Sequence, residues 1–263
     1  MSSTPDLLPP GFEPRQDPLG PKILFFGDPH GDFAPVLRAV ERLQPEAIIL
    51  LGDIQSRTPL HDALATIRAK TDIWFIHGNH DTDSDSDYDN LWGSELADRN
   101  LHGRVAEVAG YKVAGLGGVF RGKVWDPVTP MEDAAFDSPQ KMLQHVNRGG
   151  RHGQHDLWRG GISRKHRSSI FPSHYRALLA ERAEILVTHE APGAYHHGFE
   201  VLDELAAGLR ARLLVHGHHH KAIDYRREGL MPADSPFRAF GIDMGGYLAW
   251  PLGLASVPGG PLP

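Results

Sequence analysis

The sequence predicts an α/β fold built on parallel strands, and three observations carry that prediction. Short apolar runs, Ile23-Leu24-Phe25-Phe26, Ala47 to Leu51 and Ile73-Trp74-Phe75-Ile76, have the length and composition of buried strands. Each gives way to a glycine followed by an acid or an amide, Gly27-Asp28, Gly52-Asp53 and Gly78-Asn79, at intervals of 25 and 26 residues between the polar members. Between the runs, apolar residues fall at helical spacing. One strand and one helix per interval give β-α-β-α-β, which requires parallel strands joined by right-handed crossovers.

Each element follows from local chemistry. After the first strand, Asp32 is placed to cap a helix with Pro35 in its first turn and Phe33, Val36, Leu37, Val40 and Leu43 at helical spacing. Thr58-Pro59 opens a second helix, with Leu60, Ala63, Leu64 and Ile67 on one side. The acidic run Asp81 to Asp89 is not an EF-hand. Counted from Asp83, the sixth position is Tyr88, where glycine is needed, and the twelfth is Ser94, where a bidentate Glu is needed. It reads as a solvated loop. Val105 to Val108 and Tyr111 to Ala114, around Ala109-Gly110, predict a hairpin in a second sheet.

Residues 121–173 show no sustained period and are rich in Gly, Pro, His and Arg, so an irregular insertion is expected there. A helix is predicted near Ser173 to Ala183, then a strand Ile185 to Val187 running into Thr188-His189-Glu190. A further helix carries Val201, Leu202, Leu205 and Leu209, and the strand Leu213 to Val215 ends in His216-Gly217-His218-His219-His220. The tail, Ala239 to Ala255, reads as antiparallel edge strands.

The expected organisation is a proline-rich N-terminal arm over residues 1–20 and one domain over 21–263, since this length is near the limit of a single core. Zero cysteines exclude disulfides, thiolate metal sites and a cysteine nucleophile. With no apolar run of signal-peptide or membrane-span length, the expectation is a cytoplasmic chain with no membrane partner. The net charge of −6 argues against a dedicated nucleic-acid binder without removing nucleic acid from the possible substrates. Within 121–173, however, nine basic residues face five acidic ones.

Parallel strands end on one edge of their sheet, where open α/β sheets bind ligands. That edge collects Asp28, His30, Asp53, Asn79, His80, His189, His218 and His220. A lone histidine or Gly-Asp pair is an ordinary turn. Eight such residues at the ends of five strands ask for another explanation. Mixed carboxylate, imidazole and amide donors suit borderline divalent metals, and eight groups exceed the needs of one ion. Two ions about 3.5–4 Å apart and sharing a carboxylate would use them.

The series Gly27-Asp28-x-His30-Gly31, Gly52-Asp53, Gly78-Asn79-His80-Asp81, His189 and Gly217-His218-x-His220 resembles the five-block signature of the calcineurin-like metallophosphoesterases, in that family's order. The resemblance implies a four-layer α/β/β/α sandwich of two mixed sheets with a dinuclear metal site at one edge. It implies Asp28, His30 and His220 as ligands of a first ion, Asn79, His189 and His218 as ligands of a second, and Asp53 as the bridge. His80 is implied to be the general acid rather than a ligand. Arg57, four residues after Asp53, is similar to a phosphate clamp of the phosphoprotein-phosphatase branch.

The implied chemistry is hydrolysis of a phosphomonoester or phosphodiester. Two divalent ions, of Mn, Fe, Zn or Ni/Co, would hold a bridging hydroxide for in-line attack. A phosphorylated small molecule, a nucleotide or a phosphoprotein is the expected partner. The basic insertion is expected to overhang the metals, with Arg148, Arg151 and Arg159, and Arg148 first among them, meeting anionic substrate groups. The alternative is a non-catalytic scaffold of the same fold, against which stands the retention of every block residue.

Overall fold

The structure is a computed structural model that describes residues 21–149 and 157–251. The expected N-terminal arm, residues 1–20, and Arg151 lie outside the described residues. The first half of the chain runs β1 (Ile23–Phe26), α1 (Ala34–Leu43), β2 (Ala47–Leu50), α2 (Leu60–Ala63), β3 (Asp72–Phe75), α3 (Asp85–Trp92), β4 (Arg104–Val108) and β5 (Tyr111–Leu116). The second half runs α4 (Pro139–Arg148), β6 (Leu157–Trp158), β7 (Gly161–Ile162), α5 (Pro172–Leu179), β8 (Ile185–Thr188), α6 (Glu200–Leu209), β9 (Leu213–His216), β10 (Ile223–Asp224), β11 (Arg238–Gly241) and β12 (Tyr247–Trp250).

Two mixed sheets result. One has the order β12-β1-β2-β3, its three predicted strands parallel and β12 antiparallel along β1. The other has the order β10-β11-β9-β8-β5-β4, with antiparallel strands only at its two edges. The predicted hairpin is the β4-β5 pair in that second sheet. The tail corrects one expectation, because β11 is an interior strand parallel to β9 while β12 alone is an antiparallel edge.

Side-chain alternation along each strand builds the layers. Ile23 and Phe25 of β1, Ile185 and Val187 of β8, and Leu213 and Val215 of β9 share one core between the sheets. Leu24 and Phe26 turn the other way and pack with Val36 and Val40 of α1. Leu186 and Leu214 turn outward from the second sheet onto Leu178 of α5 and Leu205 of α6. Where both faces are covered, as along β1 and β2, the strands read as unbroken apolar runs. The architecture is the four-layer α/β/β/α sandwich.

Two helix expectations are corrected. The first helix is capped at Phe33, with Asp32 one residue earlier accepting the Ala34 N–H through Oδ1 at 3.0 Å. The second helix stops after Ala63, and Leu64 and Ile67 reach the core from irregular turns.

The acidic run and the basic insertion are corrected together. Instead of a loop, Asp81 to Asp89 forms a 3-10 turn, His80–Thr82, and the start of α3, with Asp81 buried. The insertion, where no element was expected, contains α4, capped by the Ser138 hydroxyl, and the β6-β7 hairpin. Arg159 pairs with Asp85 and Asp89 of α3, and Arg164 pairs with Asp85. Met142, Ile162 and Trp125 join the core outside the second sheet. The insertion is therefore docked on the acidic helix by charge and on the outer side of the second sheet by apolar burial.

Where α5 meets β4, His102 Nε2 lies 2.8 Å from His174 Nδ1. Burial pushes His174 down to about 4, and burial with the neighbouring His174 and His77 holds His102 well below its usual range. A histidine depressed in the folded state contributes stability that is present above its unfolded pKa of about 6.5 and is lost as pH falls towards the folded value. We expect the unfolding free energy read from urea titrations to drop between pH 6.5 and 4, by roughly 3 kcal/mol for His174. The same titration on His174→Gln should show a flatter acid limb, and an unchanged limb would remove this pair as the cause.

Candidate metal centre

The predicted strands end as the sequence implied, and their exits are sharp. Asp28, His30, Asp53, Gln55, His218 and His220 all have positive φ, between 31° and 69°. Left-handed backbone at so many non-glycine residues is strain of the kind that persists at functional sites. Gly78 shows why glycines stand beside them, since a Cβ there would lie 2.2 Å from Asp53 Oδ1.

Asp53 is the centre of the arrangement. Donor atoms of His30, Asp53 and His220 lie within 4.8 Å of one another, and so do those of Asp53, His189 and His218. Asp53 belongs to both groups. Asn79 Oδ1 is 3.2 Å from His189 Nε2, which is 3.4 Å from Asp53 Oδ1. Asp28 accepts the His218 N–H through both oxygens, at 3.1 and 2.9 Å, and stands 3.7 Å from His189 Nδ1. All seven residues implied as ligands are thus brought together.

The hydrogen bonds set which nitrogens are free. His189 Nδ1 donates to the Leu51 carbonyl at 2.8 Å, which leaves Nε2 as the nitrogen facing Asp53 and Asn79. His30 Nδ1 donates to Gln55 Oε1 at 2.6 Å, so its Nε2 lone pair faces His220 Nε2 at 3.1 Å. The buried Nδ1 of His218 has no partner. Imidazole nitrogens and carboxylates converging in this way fit a divalent cation in each group, which would take the place of the ring protons that face inward.

The charges agree. Burial, opposed by His189, pushes Asp28 up to about 7. Burial works against the Asp53 carboxylate too, but His189 and two hydrogen bonds outweigh it and hold Asp53 well below the usual range. His189 is disfavoured as a cation by burial, yet Asp53 and Asp28 push it up to about 10. These carboxylates therefore demand positive charge, and a metal ion would displace the proton on His189.

His80 stands at the rim. Its N–H donates to Asp53 Oδ1 at 2.9 Å, and its ring lies 5.7 Å from that of His30. Nδ1 meets Asp83 Oδ2 at 2.5 Å. Burial lowers its pKa, but the Asp83 hydrogen bond and the Asp53 charge raise it overall. Arg57 is exposed, its Nε 3.7 Å from where a Gly31 Cβ would stand.

Sequence reasoning missed four neighbours. Asp83, three residues after His80 on one turn, was the most legible of them. Asp81 joins two of the loops, accepting the Gln55 N–H and the Gly78 N–H at 2.8 Å each. Glu190, pushed up to about 7 by burial, is 3.7 Å from His218 Nε2. Arg121, bonded to the Ser168 carbonyl at 2.9 Å, borders a cleft of about 640 Å³ with Asn79, Asp83, Arg164, Lys165, Glu190 and His218. Arg148 is exposed in the last turn of α4 and does not line that cleft. Arg159 is engaged by the acidic helix instead.

Asp81→Ala leaves two loop N–H groups unpaired, at a cost of about 1–3 kcal/mol each. The expected result is a lower urea midpoint together with weaker metal uptake. Unchanged uptake would separate the carboxylate from the centre it supports.

A double-sheet sandwich that gathers these donors at one edge is a metal-binding α/β protein. Comparison with known proteins makes the class specific. The family profile described as calcineurin-like phosphoesterase matches residues 21–222. An uncharacterized protein of Haemophilus influenzae is 43% identical over 204 residues, 78% of this chain and 85% of the relative. The crystal structure of TT1561 of Thermus thermophilus superposes with a TM-score of 0.50 at 15% identity, covering 88% of this chain and 94% of that one, and supports the fold alone. The chain belongs to the calcineurin-like phosphoesterase family. It is a metal-dependent phosphoesterase.

Proposed function

We propose that the protein hydrolyses a phosphomonoester or phosphodiester at a dinuclear centre. The observation that carries this reading is Asp53, shared between the His30–His220 pair and the His189–His218 pair. Asp28, His30, His220 and Asp53 would hold one divalent ion, and Asn79, His189, His218 and Asp53 the other. When bound, the two ions supply positive charge to the phosphoryl oxygens and a nucleophile at neutral pH. Mixed O and N donors suit Mn, Fe, Zn, Co or Ni.

The chain's own contribution is orientation and a proton. Leu51 and Gln55 hold the His189 and His30 rings so that Nε2 faces inward. His80, raised by its contact with Asp83, holds its proton to higher pH than a free imidazole and would deliver it to the leaving oxygen. Arg57 would meet the phosphoryl group from the His30 side. Arg121, Arg164 and Lys165 give the adjoining cleft an affinity for anions and take over the role first assigned to Arg148. A phosphorylated small molecule, a nucleotide or a phosphoprotein fits this opening. Among the described residues no helix is long and apolar enough to cross a membrane, and the cysteine-free composition supports a cytoplasmic setting.

The test is a metal-stripped sample reloaded singly with Mn, Fe, Zn, Co or Ni and assayed on p-nitrophenyl phosphate and its bis-ester. Turnover restored by metal and abolished by chelation is the expected result. Two bound ions with no turnover on any ester would favour the scaffold. Lys165 is exposed, so Lys165→Ala should fold normally. It should raise KM for a substrate with a second anionic group roughly 2- to 10-fold and leave kcat on p-nitrophenyl phosphate unchanged. Equal effects on both substrates would remove Lys165 from recognition.

A further inference from the structure

The run His216 to His220 places two of the implied ligands, His218 and His220, at the centre and leaves two imidazoles over. His216 is engaged at both nitrogens, Nδ1 lying 2.8 Å from the Gly217 carbonyl oxygen and Nε2 2.8 Å from the Tyr225 hydroxyl. His219 is not engaged in this way. Its Nε2 is buried with no hydrogen-bond partner, and so is Nδ1 of the neighbouring His218. The two rings meet edge to face at 4.8 Å.

Glu190 completes a third group. Among the described residues, donor atoms of Glu190, His218 and His219 lie within 4.8 Å of one another, the same closeness as in the two groups that share Asp53. Glu190 Oε2 stands 3.7 Å from His218 Nε2, while its Oε1 accepts the Phe120 N–H at 3.2 Å and so holds the carboxylate in place. Ligands about 2.0–2.2 Å from a tetrahedral ion are about 3.4 Å apart, so the pair needs only a small movement to close on a cation. Two imidazoles and a carboxylate are a donor set for Zn, Fe, Co or Mn.

A neutral imidazole offers one lone pair, so His218 serves one ion at a time. The third group is therefore filled in alternation with the place that His218 shares with Asp53 and His189. The two places differ in access. Asp53 and His189 are buried, and the His218 ring is 4.7 Å from that of His189. On the His219 side the rings lead outward, from His219 to Tyr195 at 4.4 Å and from Tyr195 to His196 at 4.3 Å, and His196 and His197 are exposed. The cleft offers a cation a poorer approach, because Arg121, Arg164 and Lys165 line it.

We propose that Glu190, His218 and His219 form an outer seat for a divalent cation, through which the second ion of the centre is loaded and released. The proposal rests on the dinuclear reading of that centre. An ion that exchanges its waters for these three donors before moving inward meets a lower barrier than one stripped of water at once. His218 stays a ligand throughout the transfer, while Glu190 and His219 give way to Asp53, His189 and Asn79.

A seat on the path speeds entry and exit equally and leaves the end states alone. Metal-free protein mixed rapidly with Co(II), whose visible absorption reports its ligands, should take up two ions in two phases, and a chelator should remove them in two. His219→Ala should slow one uptake phase and the matching release phase by the same factor, roughly 10–100-fold, with two ions bound at equilibrium and unchanged dissociation constants. His219→Gln, which retains more of the packing on Tyr195, should do the same. Glu190→Gln keeps an oxygen for the Phe120 N–H and should slow the same phases. Wild-type rates in both His219 variants would overturn the proposal. So would a Glu190→Gln protein that binds the second ion more weakly beside an unaffected His219→Ala, since Glu190 would then orient His218 rather than carry the ion. A chain that binds a single ion would overturn the dinuclear reading and the seat together, whereas two ions exchanging at wild-type rates would overturn the seat alone.

Discussion

Asp53→Asn should yield a folded protein that has lost both its metal content and its hydrolytic activity. The substitution is isosteric, and the asparagine oxygen can still accept the His80 N–H that Asp53 Oδ1 takes at 2.9 Å. What disappears is the negative charge at the one position common to both donor groups. A supporting hydrogen-bond partner of a metal ligand is worth about 10–100-fold in metal affinity, so loss of the shared ligand charge should exceed about 100-fold. Elemental analysis and calorimetric titration with Mn or Zn read the effect directly. A variant that kept two ions per chain and full turnover would sink the dinuclear assignment. In the metal-free protein, the His189 pKa should fall towards its ordinary value, because Asp53 is the main charge that raises it.

His80→Ala should do the opposite, keeping the metals and losing turnover by about 10²–10⁴-fold. The side chain is 45% exposed at the rim of the centre, so its removal opens no core cavity. The loss should be larger for an alkyl phosphate than for p-nitrophenyl phosphate, whose leaving oxygen needs a proton less. Asp83→Asn should fall between wild type and His80→Ala. Without the Asp83 carboxylate the His80 pKa drops, so the alkaline limb of the rate profile should begin at lower pH. If His80→Ala were stripped of metal, the division into ligands and acid would be wrong.

The strands that carry the centre were legible because they are buried on both faces, so that β1, β2, β8 and β9 read as uninterrupted apolar runs. The gathering of Asp28, Asp53 and Asn79 followed from topology, since parallel neighbours must end on one edge. Other elements gave weaker signals. Helix α4 buries only Met142 and Val146 in ten residues, too few to stand out as a period. The acidic run looked solvated and the basic insertion irregular because their partners are 70 or more residues away in sequence, as Arg159 is from Asp89.

By itself, the sequence determined the parallel α/β order, the edge on which the donors meet and the residue types available to a metal, because strand periodicity and ligand chemistry are local properties. Only the tertiary structure decided which imidazole nitrogens are free, that Asp83 orients His80, that Asp81 ties two loops together and that Arg121 and Lys165 rather than Arg148 border the cleft. Those outcomes depend on contacts such as Leu51 with His189, 138 residues apart, and Asn100 with His77, 23 apart. A hydrogen bond selects a tautomer or a rotamer only after the fold has brought its two ends within about 3 Å, and no local pattern in the chain records that distance.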